Sequence, residues 1–421
     1  MAVAFRSPRP DPDATACEAT LELVALTAAL LFSHGQTTER TVVTAERLGR
    51  ALGTPVRVLP DWETLTVELE GSSLARIVPA KPLGIDMNRV LAVTAIVDQL
   101  HDGTLCAEEA RPALTSAGSL PPVSAMKFAS FAAIGAASLG IIFGALDAAS
   151  LMLIAASASL GALVRRWLST FSSNPFIQPL CAAFIAGVVA SLSTISLRQP
   201  IATALVAFCP CMVLVPGPHL LNGAIDLVRT RIALGIARLT YAGTVVLTIC
   251  FGLLFGFTAI NATLPAAGPS APVPFLADVI AAGCAVAAFG TLYSMPWRML
   301  PFPIAAGMLG HAARWALISL FGANVATGAL VACILVSIIV TPVADRLHLP
   351  FAALGFSAVV SMIPGFFLFE AAIALVELVS IGPHAPTALL TSIAVNGATA
   401  FLVVLAMTFG LIVPRMLLEH A

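Results

Sequence analysis

The chain has 421 residues, of which 59% are hydrophobic and only 10% charged. Soluble domains carry about 25% charged residues, so an ordinary soluble enzyme is excluded. The charges are also uneven: residues 1–126 hold 10 Lys/Arg and 15 Asp/Glu, whereas residues 127–414 hold 10 and 6. A net charge of −1 with no basic run excludes a nucleic-acid partner. The eight cysteines form no Cys-x-x-Cys pair, and six of them fall inside apolar stretches, where they read as small buried hydrophobes rather than as a metal site or disulfide framework.

Residues 1–14 are polar and Pro-rich, and read as a disordered tail rather than a signal segment. An α+β domain is expected over 15–120. Its first helix, Ala19–Phe32, carries Glu22 and is too short to span a bilayer. A second helix, Thr37–Ala51, is charged on one face and stops at Gly53. Strands follow at Val56–Leu59, Leu65–Leu69 and Ala75–Val78, parted by Pro60-Asp61 and Gly71-Ser72-Ser73. Helices Asp86–His101 and Ala107–Leu114 close the domain.

From Lys127 the composition changes abruptly. Apolar segments fall near 128–146, 149–168, 176–197, 200–228, 236–260, 275–295, 301–320, 324–342, 350–379 and 387–413. The fold class expected is a polytopic α-helical membrane protein of about ten spans, since a bilayer needs about 20 apolar residues per helix. Threading from a cytoplasmic N-terminal domain puts most Arg residues on the cytoplasmic side, with Arg198 and Arg314 the exceptions. The external loop Asn261–Pro274 has no Lys or Arg. That asymmetry predicts both termini inside, and the membrane expected is the cell's inner one.

Leu160-Gly161…Arg165 resembles Leu309-Gly310…Arg314, and Val215-Pro216-Gly217 resembles Ile363-Pro364-Gly365. An odd number of helices per copy inverts the second, so the membrane part is read as two inverted five-helix repeats, 127–260 and 275–415. The segments 200–228 and 350–379 are too long for straight spans, and their Pro-Gly pairs predict helix breaks. A restarted helix would aim backbone amides at a cavity, where they suit a carboxylate. A simple packing kink is the alternative reading of the same pairs.

Candidate substrate-binding residues are therefore Pro216, Gly217, Asn222, Pro364, Gly365 and Arg314. Candidate proton carriers are Glu370, Asp226 and Glu377, because acidic groups in apolar segments are expensive and functional by default. Asp147, Asp278 and Asp345 fall at helix ends and read as structural. Hydrolase, zinc and phosphate-loop signatures are absent, so no enzyme activity, cofactor or metal is expected, and transport would draw on an ion gradient.

The chain resembles the threonine/serine exporter family. Leu31-Phe-Ser33-His-Gly35-Gln-Thr-Thr38-Glu-Arg40, Arg47-Leu-Gly-Arg-Ala51-Leu52-Gly53, Ile85-Asp86 and Gly103-x-x-x-x-Glu108-Glu109-Ala110 carry the resemblance, with both Pro-Gly turns. Thr41-Val42 depart from the family's common Val-Glu after Arg40. The resemblance implies a proton-motive-force-linked exporter of threonine or serine. Split relatives of this architecture imply a dicarboxylate exporter as the alternative. A membrane-anchored enzyme or sensor is the reading from another class. The oligomeric state is not legible from the chain.

Overall fold

The structure is a computed structural model, and it describes residues 12–194, 200–262, 273–346 and 351–419. Arg198 and most of the 261–274 loop lie outside the described residues, as does the side chain of Asp345. The chain divides into two compact units, one up to Pro121 and one from Pro122 onward.

The first unit runs α1 (Pro12–Ser33), α2 (Thr38–Ala51), β1 (Val56–Pro60), β2 (Thr64–Leu69), β3 (Ala75–Pro79), α3 (Met87–His101) and α4 (Ala107–Gly118). α1 reaches back to Pro12, inside the expected tail. The strands form an antiparallel meander, with Val58 opposite Val67 and Thr66 opposite Ile77. Alternation buries Val56, Val58, Leu65 and Val67, and α1 and α2 cover that face.

Of the residues that carry the resemblance, 33–40 and Ile85-Asp86 build the joint between α1, α2 and α3. Thr37 caps α2 by accepting from the Arg40 N–H, and Asp86 caps α3 by accepting from the Arg89 N–H at 3.2 Å. The Asp86 N–H donates to His34 O at 3.0 Å. Gly35 has φ +93°, and a Cβ there would lie 2.6 Å from Ile85 Cδ1, so this turn needs glycine for both conformation and space. His34 Nδ1 donates to Leu30 O at 2.7 Å, while Nε2 accepts from Arg89 Nη1 at 2.9 Å. Only the neutral ring satisfies both bonds. Burial pushes the His34 pKa below the ordinary histidine value against the opposing bond to Leu30, and the facing Arg89 charge adds to the depression.

The second unit contains α5 (Ala125–Ile142), α6 (Ala148–Leu168), α7 (Ile177–Ser193), α8 (Pro200–Met212), α9 (Gly217–Val228) and α10 (Ile232–Ala259). It continues with α11 (Phe275–Leu292), α12 (Pro301–Phe321), α13 (Val325–Arg346), α14 (Phe351–Val359), α15 (Gly365–Ile381) and α16 (Thr387–Glu419). Among the described residues, eight helices are long and apolar enough to cross a bilayer, or nine with α8 and α9 taken as one bent span. α7 is apolar but shorter, at 17 residues. The protein is a polytopic helical membrane protein.

The halves of this unit share their packing order: α5 on α6, α6 on α7 and α7 on α10, then α11 on α12, α12 on α13 and α13 on α16. Individual contacts recur as well. Gly161 packs on Ala182, as Gly310 does on the backbone of Ala332. Gly252 faces Leu180 O and Ala183, as Gly410 faces Leu330 O and Cys333. Gly140 approaches Ala145 as Gly290 approaches Met295. Small residues let these backbones close up where lipid supplies no hydrophobic drive.

Candidate functional site

Both long segments break where their Pro-Gly pairs stand. α8 and α9 meet at 64°, and α14 gives way to a 3-10 turn, Val360–Met362, before α15 restarts. The local geometry is the same in the two places. Pro216 has φ −78°, ψ 62°, and Pro364 has φ −79°, ψ 41°. The Gly217 N–H donates to Val215 O and the Gly365 N–H to Ile363 O, each at 2.8 Å, which closes an inverse γ-turn. The first amide of each restarted helix is therefore bonded inside its own turn, not aimed at a ligand as the sequence suggested.

The breaks touch one another. A Cβ on Gly217 would fall on the Ile363 side chain, and one on Gly365 would lie 2.9 Å from Met212 Cγ and 3.5 Å from Val215 Cγ2. The residue before each proline thus rests on the glycine of the other break. Beside this contact lies an apolar cavity between Leu139, Phe289, Val360 and the break residues, with about 10 Å³ of room for a water's centre. That is space for one water.

The other sequence candidates fall in different surroundings. Asn222, on α9, is 2% exposed, and its Oδ1 has no hydrogen-bond partner among the described residues. Glu370, on α15, is half-buried and Glu377 is exposed. Asp226 and Arg238 are each 1% exposed. They form a buried pair, with Arg238 Nε 3.1 Å from Asp226 Oδ2, and Arg231 Nη1 lies 3.8 Å from Oδ1. Two guanidinium groups thus compensate the Asp226 charge, an arrangement built for holding α9 on α10 more than for releasing a proton. Arg314 packs over Gly328 of α13, and its charge acts on Asp278.

A polar chain runs into the second break. His311 Nδ1 lies 3.0 Å from Asp278 Oδ2, and Nε2 lies 2.9 Å from Ser361 Oγ. All three residues are at most 3% exposed. A neutral His311 donates to Asp278 and accepts from the Ser361 hydroxyl, so every member is satisfied.

Residues 22–260 match the family model described as a threonine/serine exporter, ThrE, and residues 278–417 match a second threonine/serine exporter model, ThrE_2. The chain belongs to the threonine/serine exporter family. No solved structure matches it. Both exporter models together take in the cap residues of the first unit and both breaks of the second.

In this exporter, Asp278 reads from the sequence as a structural helix end, and the sequence does not single out His311 or Ser361. Asp278 stands in the first turn of α11 and looks like a solvated helix end. Its partner His311 stands on α12, which periodicity within α11 does not report. The signal available was that His311 lies inside the repeated Gly-x-x-x-Arg segment, and Ser361 three residues before Pro364.

Proposed function

We propose that the protein is a secondary carrier that exports threonine or serine from the cytoplasm across the inner membrane, driven by the proton motive force. The membrane unit is read as ten spans in two inverted five-helix repeats, with the first unit on the cytoplasmic side. The observation that carries this reading is the reciprocal contact between two identically built helix breaks. Broken helices meeting at a repeat interface are where secondary carriers place their substrate, because exposed backbone survives at membrane depth only beside protein or a cavity.

Substrate is placed beside the breaks, among Pro216, Gly217, Asn222, Pro364 and Gly365, whereas Arg314 packs over Gly328 and already has the Asp278 charge acting on it. Asn222 supports this, since its buried Oδ1 is left without a partner among the described residues and a substrate ammonium or hydroxyl would supply one. Glu370 is the proposed proton carrier, as Asp226 already neutralises arginines and Glu377 sits at the exposed surface. The test is counterflow of labelled threonine, serine and succinate in proteoliposomes. Threonine and serine should exchange and saturate. Exchange of succinate alone would overturn the substrate reading, and non-saturating flux would overturn the carrier.

A further inference from the structure

The two halves differ at one equivalent place, and the difference points to a ligand. Arg165 and Arg314 are equivalent, each four residues after the matched Gly161 and Gly310. Ala162 then stands where the second half has His311, and Val213, three residues before Pro216, stands where it has Ser361. The Gly140/Gly290 match in α5 and α11 puts Phe128 at the position of Asp278. Contacts bear this out, for Phe128 lies under the Arg165 guanidinium at 5.6 Å, where Asp278 acts on Arg314.

The second half therefore has a carboxylate acting on its arginine, bonded in turn to an imidazole and, through it, a hydroxyl. The first half has neither. Arg165 shares the Phe128 ring with Arg166, whose like charge faces it, and the Tyr241 phenol is its one favourable neighbour among the described residues. No carboxylate stands at the position of Asp278, and the Arg165 Nε has no hydrogen-bond partner among the described residues. Ser157 is 2% exposed, and its hydroxyl is likewise unpartnered among the described residues. Both line a cavity walled by Ala162, Gly161, Val213 and Leu214, again with about 10 Å³ of room for a water's centre. A half-buried guanidinium and a buried hydroxyl facing one void form a recognition pair for a carboxylate.

We infer that this cavity is the subsite for the substrate's carboxylate, so that the cargo brings to the first half the anion that Asp278 provides in the second. Arg165 binds the carboxylate and Ser157 donates a second hydrogen bond. Val213 and Leu214 belong to the first break, so a group larger than water enters only as that break moves, which ties occupancy to the conformational step. The inference rests on the amino-acid export reading.

Its test is threonine counterflow by the full chain in proteoliposomes, with unlabelled threonine or threoninamide as competitor. Wild type should discriminate strongly for threonine, because the amide lacks the charge. Ser157→Ala should raise KM about tenfold, the worth of one charge-assisted hydrogen bond. Arg165→Gln should abolish the discrimination between acid and amide. Phe128→Asp, which installs the second half's carboxylate beside Arg165, should suppress threonine binding. Ala162→Val keeps every charge and narrows the cavity, so it decides the matter should the charge variants not fold, and its KM should rise at least tenfold. Wild-type KM and discrimination in Ser157→Ala and Ala162→Val would overturn the subsite and leave the export reading standing. Absence of threonine counterflow in wild type would overturn both.

Discussion

Substituting Gly217 by alanine tests whether the two breaks bear on each other. Gly217 does not lie in the left-handed region, so alanine meets no backbone penalty there. Its Cβ would instead fall on Ile363 Cδ1, while the next atom, Ile363 Cγ1, is 3.5 Å away. Overpacking of this kind costs about 1–3 kcal/mol. The clashing atom is a terminal methyl that turns aside, so about 1 kcal/mol is expected. Ile363→Val deletes that methyl and by itself costs about 0.5–1.5 kcal/mol through lost packing. The double variant relieves the clash, so it should be more stable than the sum of the single effects by about 1 kcal/mol. Denaturation of the purified protein in detergent micelles measures the cycle, and threonine counterflow shows whether transport recovers with stability. Additive effects would refute the reciprocal contact, leaving each Pro-Gly pair as an independent kink.

Asp226→Asn should cost about 3–5 kcal/mol in the same denaturation assay, because it strands a buried Arg238, whereas Asp226→Leu with Arg238→Met should recover much of the loss. For His34 the depressed pKa sets the sign. Between the folded pKa and the ordinary value near about 6.5, the unfolded chain binds the extra proton, so the joint weakens as pH falls through that window. Hydrogen exchange of the α1–α2 turn, corrected for intrinsic rates, should therefore quicken below about pH 6.5 in wild type and lose that slope in His34→Asn. Cysteine labelling of intact cells should modify Ser270→Cys and spare Ser73→Cys, and labelling at position 73 would place the first unit outside.

The elements of the first unit were legible because capping residues and turn residues mark their ends, as Thr37, Asp86 and Gly53 do. Both helix breaks were legible for the same reason, since proline removes a donor wherever it stands. The contact between the breaks was not, because it joins Ile363 to Gly217, 146 positions apart, and both look like any others in an apolar stretch. Asp226 shows a different limit. An isolated carboxylate in an apolar segment suggests titration, and only the fold reveals the arginines that already answer it. The unlike pair Arg165 and Arg314 was visible as a repeat, but the asymmetry around them needed the side chains of α5 and α11.

Accumulation of labelled threonine in proteoliposomes under an imposed pH gradient tests proton-driven export most directly, with Glu370→Gln measured beside wild type. The variant keeps the shape of the side chain and removes its proton. Wild type should concentrate threonine against its gradient and collapse to equilibrium on adding a protonophore, while Glu370→Gln should retain exchange and fail to concentrate. Concentrative transport by Glu370→Gln at the wild-type level would contradict the proposed carrier, and wild-type transport indifferent to the pH gradient would contradict proton coupling itself.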